Sequence, residues 1–383
     1  MSGSSIYLDN NATTHVLPGV KEAVCDAMTF SVGNPSSVHQ LGAAARRALE
    51  ANREIVAEFI DAPPEKVIFV SGGTEANNTV ISSFGRKCSA GRLVISSIEH
   101  SSVLQAANAM ERAGIAVDYV SVDSNGQVDP AGLEEMLRKP ADLVSIQWVN
   151  SETGVIQAIP ELLEVCRERG IPFHTDAAQA VGKIPVSIED TPVDFLTFTG
   201  HKLHAPAGIG AIYVSNPGCL HSIMYGGDHE FGKRPGTENM IGIAGLATAI
   251  AIRKKKFEDA VTHMRNLRDH FERRLLERIP DAIVNGARAS RVCNTSNIRF
   301  PGIDGQALVA QLDRLGLCCS QTSACMAHKP QPSHVLRAMG LSENEAFSSV
   351  RFSFSVLNTI EEVERAIDLI QSIYSRLKKL MEI

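Results

Sequence analysis

The 383-residue sequence predicts an α/β protein, with a larger, mainly parallel sheet domain followed by a smaller α+β domain. Three observations carry that prediction. Short apolar runs alternate with helix-length stretches through the first two-thirds of the chain, the pattern of a parallel sheet covered on both faces. Near residue 241 the pattern changes to a long charged helical stretch and then to separated strands. The length itself exceeds what one hydrophobic core usually serves.

Taken in order, Val67-Ile68-Phe69-Val70 is the first apolar run, and Ser71-Gly72-Gly73-Thr74 leads from it into a helix-compatible segment. Leu93-Val94-Ile95-Ser96 and Leu143-Val144-Ser145-Ile146-Gln147-Trp148-Val149 are further strand candidates, as are Pro172-Phe173-His174-Thr175-Asp176 and Phe195-Leu196-Thr197-Phe198. Pro160 to Arg169, closed by Gly170, is a helix with a glycine stop. Ile241 to Ile279 reads as one long helical stretch, and its run Arg253-Lys254-Lys255-Lys256 as a solvated face. Ser296-Asn297-Ile298-Arg299-Phe300 and Ser349-Val350-Arg351-Phe352-Ser353-Phe354 read as strands of the smaller domain, and Ile360 to Leu380 as an amphipathic helix. In such sheets ligands gather at the carboxyl ends of the strands, so the residues just past each strand matter most.

Composition narrows the class. With 44% hydrophobic and 21% charged residues the chain is neither disordered nor fibrous, and no apolar run approaches the roughly 18 residues needed to span a bilayer. The first residues lack a basic region followed by a hydrophobic stretch, so no secretory signal is expected and a cytoplasmic protein is. A net charge of −6 argues against a broad electrostatic footprint for nucleic acid or anionic lipid. The eight cysteines show no Cys-x-x-Cys pair, which points to reduced thiols and gives no paired ligands for a structural zinc. Cys325 and His328 are the nearest approach to such a pair, without a second pair to match, and no metal is expected.

Chemistry concentrates at three strand ends. Ser71-Gly72-Gly73-Thr74 exposes backbone N–H groups at the positive end of a helix, which suits an anion such as phosphate. The same residues read equally as a glycine turn with a threonine cap. Thr197-Phe198-Thr199-Gly200-His201-Lys202 places a lysine just past a strand, where desolvation favours Schiff-base chemistry. Asp176 ends the preceding strand, and a carboxylate there can hold a pyridine nitrogen protonated. A phosphate cradle, a lysine and a carboxylate together point to pyridoxal 5′-phosphate.

The sequence resembles the cysteine desulfurases of the aminotransferase-like superfamily over nearly its whole length. The resemblance rests on Tyr7-Leu8-Asp9-Asn10-Asn11-Ala12-Thr13-Thr14, Gly33-Asn34-Pro35-Ser36-Ser37, Glu99-His100, Asn150-Ser151-Glu152-Thr153-Gly154, Pro235-Gly236-Thr237-Glu238-Asn239 and Ser323-Ala324-Cys325, with Pro332-Ser333-His334-Val335-Leu336 downstream. It implies the aminotransferase-like pyridoxal-phosphate fold: a large domain with a mainly parallel seven-stranded sheet over residues 16–250, and a small domain from 1–15 and 251–383 carrying the catalytic cysteine loop.

By the same resemblance Lys202 is the Schiff-base lysine and moves the Cα proton, and His100 stacks on the ring; a capping histidine is its structural alternative. Asp176 pairs with the ring nitrogen, Gln179 with the ring hydroxyl oxygen, and Asn150 with ring and substrate. Gly73, Thr74, Thr199 and His201 bind phosphate, and Thr237 reaches the cofactor of a partner subunit, implying a homodimer. Arg351, with Asn150 and Asn10, binds the substrate, an interdomain ion pair being the plainer role for the arginine. Cys325 attacks the sulfur of L-cysteine, leaves L-alanine, and passes the persulfide to a scaffold or carrier protein for iron–sulfur assembly or thio-modification of RNA or DNA.

Departures from the family pattern fall at Ser320-Gln321-Thr322-Ser323, at Met326 to Gln331 and at Arg234-Pro235-Gly236. Arg234-Pro235-Gly236 and the stretch His328 to Pro332 are similar to selenocysteine lyases, which are the enzymatic alternative. A plain aminotransferase and a non-catalytic sulfur-relay scaffold complete the readings. Cys318 and Cys319 read as buried strand cysteines rather than sulfur acceptors.

Overall fold

The structure is a computed structural model and describes residues 5–30, 33–85, 91–321 and 331–381. Strand β1 (Ile6–Tyr7) opens the chain, followed by helices α1 (Pro18–Phe30) and α2 (Gln40–Glu58). A seven-stranded sheet then forms from β2 (Val67–Val70), β3 (Arg92–Ser96), β4 (Ala116–Val120), β5 (Leu143–Ser145), β6 (Phe173–Asp176), β7 (Phe195–Thr199) and β8 (Gly210–Val214). Its spatial order is β2-β8-β7-β6-β5-β3-β4, and only β8 runs against its neighbours. The connecting helices are α3 (Gly73–Gly85), α4 (Ser101–Arg112), α5 (Pro130–Met136) and α6 (Ile159–Arg167).

The two faces follow from strand periodicity, since alternate residues point to opposite sides. Ile68, Val70, Leu93 and Ile95 pack under α3 and α4, against Val80, Ile81, Val103 and Ala107. Val67, Phe69, Val94 and Phe173 face the other way and meet Leu49 and Val56 of α2 and Leu162 and Cys166 of α6. With both faces covered, the strands read as unbroken apolar runs.

After the sheet come a short turn α7 (His229–Gly232), α8 (Met240–Lys255) and α9 (Phe257–Arg278). A second core then gathers β9 (Ile283–Val284), β10 (Thr295–Arg299), α10 (Gly305–Arg314), β11 (Leu317–Cys318), β12 (Ser349–Ser353) and α13 (Ile360–Met381), while α11 (His334–Ala338) and α12 (Glu343–Phe347) form a small cluster of their own with Ile98. The apolar residues of the second core include Leu8, Phe271, Ile298, Leu308, Phe352 and Ile367. The N-terminal strand joins this part by parallel pairing with β11, Ile6 opposite Leu317.

The expected α/β class and mainly parallel seven-stranded sheet are present. Three details differ from the sequence reading. Strands β4 and β8 have no counterpart in it, because Asp118 interrupts the apolar run of an edge strand and Gly210 hides the start of the other. The run 143–149 is strand only over Leu143–Ser145, and its remainder turns toward the strand ends. The helical stretch from 241 breaks at Lys256, whose backbone is non-helical, so α8 stays against the sheet while α9 passes from the first core, at Val261 and Met264, to the second, at Leu267, Phe271 and Leu275. The basic run at that break is not wholly a solvated face: Lys254 pairs with Glu58 at the surface, but Arg253 is buried.

Candidate functional site

A cavity of about 290 Å³ opens where the strands of the large sheet end. Gly73 and Thr74 line it from the start of α3, His100 from the start of α4, and Asp176 from the end of β6. Thr199 ends β7, and the turn after it brings His201 and Lys202 to the same wall. Asn11, Ser151, Gln179 and Arg351 also line it.

The Ser71-Gly72-Gly73 turn is shaped for close approach. Gly72 has φ +153°, and a Cβ on Gly210 of the neighbouring strand would stand 2.8 Å from Gly72 Cα. A Cβ on Gly72 or Gly73 would point toward Thr199, 3.5 and 3.8 Å from its nearest atoms. Backbone N–H groups at the α3 N-terminus are therefore left bare beside two threonines, a setting that favours an anion.

Asp176 is held by a buried network. Asn77 donates to Asp176 Oδ2 at 2.7 Å and to Ser102 Oγ at 2.8 Å, while its carbonyl oxygen accepts from Thr197 Oγ1 at 2.6 Å. Thr197 Oγ1 in turn meets His174 Nε2 at 3.2 Å, and His174 Nδ1 meets Ser145 Oγ at 2.8 Å. Burial holds the His174 pKa down at about 4, so this ring is neutral at ordinary pH.

Ser102 carries the network to His100. The Ser102 backbone N–H donates to His100 Nδ1 at 3.1 Å, and Ser102 Oγ lies 2.7 Å from the same nitrogen. Nδ1 must accept the backbone bond, so the ring proton belongs on Nε2. His100 is thus the N-cap of α4 and a wall of the cavity at once.

Lys202 Nζ donates to the carbonyl oxygens of Asn11 and Ala12, each at 2.5 Å. Burial, with Lys202, His100 and Lys183 nearby, lowers the His201 pKa to about 4. Gln179 Nε2 donates to Asn11 O at 3.1 Å, and its Oε1 accepts from Lys183 Nζ, which also reaches Asn11 Oδ1 at 3.3 Å. Lys183 is buried, and desolvation lowers its pKa to about 7.

Arg351 enters from β12 of the second core. It donates to Ser151 O at 3.0 Å and to Asp9 Oδ1 at 2.8 Å, while its buried Nε has no hydrogen-bond partner. The arginine does form an ion pair, but with Asp9 inside the second part of the chain rather than across domains, and a donor remains on a guanidinium that lines the cavity. Asp9 Oδ2 accepts from Ser320 Oγ at 3.0 Å, and Ser320 and Arg351 exchange backbone bonds of 3.2 and 2.6 Å. Cys325 and His328 lie outside the described residues, but both flanks of their segment are placed. Ser320 sits on Arg351, and beyond the segment Ser333 caps α11 and bonds Glu152 while His334 Nε2 donates to Glu99 O at 3.0 Å.

Three predicted residues stand off the cavity. Asn150 is fully buried; its Oδ1 accepts from Glu152 N, Thr153 N and Thr153 Oγ1, and its Nδ2 donates to Ile98 O. It shapes the turn whose neighbours Val149 and Ser151 line the wall. Asn10 bonds Ser353 O and Asn358 Oδ1 within the second core, whereas Asn11 lines the cavity. Thr237 lies on a separate recess of about 160 Å³ with Ser71 and Arg234. Cys318 and Cys319 lie at β11, and burial raises both thiol pKa values, which makes them poor thiolates. Among the described residues, no group of three or more His, Cys, Asp or Glu is placed to hold a metal ion.

Sequence reasoning missed Asn11, Asn77, Ser102 and Lys183. The second asparagine of Asn10-Asn11 and the helix-turn spacing of Asn77 after Gly73 were the available signals.

An amine, a carboxylate held by a buried amide and a bare helix N-terminus on one small cavity fit an aromatic aldehyde bearing a phosphate. The comparisons agree. The aminotransferase class-V family model matches residues 6–366. A cysteine desulfurase of Nostoc sp. is 41% identical over 378 residues, covering 98% of this chain and 94% of that one. A solved NifS-like protein matches with a TM-score of 0.89 at 33% identity, over 97% of this chain and all of the other. A structure described as SspA in complex with cysteine matches with a TM-score of 0.79 at 31% identity, over 93% and 100% of the two chains.

Proposed function

The chain belongs to the aminotransferase class-V family, and on that premise we propose that it is a pyridoxal 5′-phosphate-dependent cysteine desulfurase. It converts L-cysteine to L-alanine and donates the sulfur as a persulfide. One observation carries this reading: Lys202, Asp176, His100 and the α3 N-terminus line a single cavity with Arg351. A selenocysteine lyase is not favoured, because the similar proteins are cysteine desulfurases.

When bound, pyridoxal 5′-phosphate supplies an electron-withdrawing ring that stabilises negative charge at the substrate Cα. Gly73, Thr74, Thr199 and His201 hold its phosphate in our reading. Asp176 keeps the ring nitrogen protonated, and Gln179 orients the ring oxygen with its carbonyl already fixed by Lys183. Lys202 anchors the group and moves the Cα proton. His100, with its proton on Nε2, covers the ring and assists that transfer. Arg351 offers its remaining donors to the substrate carboxylate. Asn150 and Asn10 support this site by shaping the walls. The Cys325 thiolate then bonds the substrate sulfur as the carbon–sulfur bond breaks, with those electrons and a proton going to carbon.

We extend the reading to a homodimer in which Thr237 serves the partner's cofactor. Tyr225 is 94% exposed and Phe231 50%, and this apolar surface beside the Thr237 recess suits a second copy of the chain. The division into 16–250 and 1–15 with 251–383 is proposed on the two main cores, with Val261, Met264, Val292 and Cys293 of the second part packing back into the first core. A scaffold or carrier protein as sulfur acceptor, service to iron–sulfur assembly or to thio-modification, and a cytoplasmic location belong to the same proposal. No helix among the described residues is long and apolar enough to cross a membrane.

The test is chemical trapping. The purified protein should be yellow, and borohydride should bleach it while fixing the cofactor to one peptide containing Lys202. Attachment at another lysine, or a colourless protein that takes up no pyridoxal phosphate, refutes the assignment.

A further inference from the structure

Arg253, at the end of α8, differs from the other buried arginines. Arg53 makes a two-pronged pair with Glu230, Arg268 bonds Asp269 and Val292 O, and Arg351 bonds Asp9. Arg253 is only 6% exposed, yet its Nη1 has no hydrogen-bond partner, and among the described residues no carboxylate pairs with it. Its stem packs over Gly182, where a Cβ would come within 3.4 Å of Arg253 Cγ. Burying an unpaired cation is costly, and such groups persist where they have a task.

Arg253 lines a cavity of about 350 Å³ distinct from the one at the strand ends. Its walls are apolar, built by Leu17, Leu203, Ile252, Val356 and Leu357. Lys256, Asp259 and His263 are exposed around it, and His263 Nε2 donates to Asn358 O at 3.0 Å. Leu203 follows Lys202 directly, so this cavity backs onto the turn that carries the active-site lysine.

We propose that this cavity is a second binding site, for a small organic carboxylate with an apolar body, whose carboxylate pairs with Arg253. A planar guanidinium matches the two oxygens of a carboxylate, and the apolar walls match a short hydrocarbon chain. Phosphate suits it less well, having four oxygens to satisfy with a carboxylate, Asp259, on the cavity wall. The inference stands apart from the cofactor reading.

The test is calorimetric titration of the holoenzyme with 4-methylpentanoate, with 4-methylpentan-1-amine and inorganic phosphate as controls. Wild type should bind the carboxylate and neither control. Arg351→Ala should retain that binding, which separates it from the active site. Arg253→Met and the cavity-filling Ala249→Leu should each weaken it by about tenfold or more. Without ligand, Arg253→Met should melt no lower than wild type, because it removes an unpaired buried charge. Absence of binding to wild type, undiminished binding to Arg253→Met, loss of binding in Arg351→Ala alone, or preference for phosphate would each overturn the proposal.

Discussion

The Asn77 amide donates to the Asp176 carboxylate at 2.7 Å, although the two residues lie 99 positions apart in sequence. The same nitrogen donates to Ser102 Oγ, which rests on His100 Nδ1. One side chain therefore orients both the carboxylate and the histidine of the site.

Asn77→Ala should leave Asp176, Ser102 and Thr197 each short of a buried partner. The expected cost is about 1–3 kcal/mol of stability in urea unfolding, together with weaker retention of pyridoxal phosphate on dialysis. Asn77→Asp, which places a second carboxylate beside Asp176, should be worse than Asn77→Ala for cofactor retention.

Glu99 precedes His100 and is completely buried, with Ser96 Oγ and Gln147 N both donating to its Oε1. Desolvation raises its pKa to about 8 despite those bonds. Between about pH 4.5 and 8 the folded state keeps a proton that the unfolded chain has released, so stability falls as pH rises through that window. Glu99→Gln, neutral throughout, should flatten this part of the stability curve; an unchanged slope would place the titration elsewhere.

Lys183 carries the opposite sign. Its pKa is lowered to about 7 by burial, whereas the unfolded side chain titrates near 10.5. Between those values the unfolded state holds the extra proton, so stability rises with pH. Lys183→Met should therefore compare best with wild type at pH 6.5 and progressively worse toward pH 10, measured by urea unfolding. It should also loosen Gln179, whose carbonyl oxygen loses its donor.

Arg351 serves Asp9, Ser151 and, in our reading, the substrate carboxylate through one planar fork. Lysine has the charge without the fork. Arg351→Lys should raise KM for L-cysteine about tenfold or more, with a smaller fall in kcat. A change confined to kcat would show that the arginine does not hold the carboxylate in the ground state.

Residues whose chemistry is intrinsic were legible in the sequence. Lys202, Asp176, Thr199 and His201 sit just past apolar runs that mark themselves as strands, and their side chains announce what they can do. Asn11, Asn77 and Lys183 were not, because they act on other side chains, and only the fold brings Lys183 to Asn11 or Asn77 to Asp176. Asn150 shows the converse: a motif residue whose side-chain oxygen is consumed by its own turn and whose amide nitrogen goes to Ile98 O. Strand β4 was hidden by Asp118 at the sheet edge. The burial of Arg253 was hidden by three neighbouring lysines, since a charge run gives no sign of which member turns inward.

The central claim is that sulfur leaves L-cysteine onto Cys325. A single turnover of the holoenzyme with ³⁵S-labelled L-cysteine, without reductant, tests it most directly. The account predicts one L-alanine per active site and one label on the peptide containing Cys325, released by dithiothreitol, with Cys325→Ser binding L-cysteine yet yielding neither. Equal alanine and sulfide from Cys325→Ser, or label on Cys318 or Cys319 instead, would contradict it.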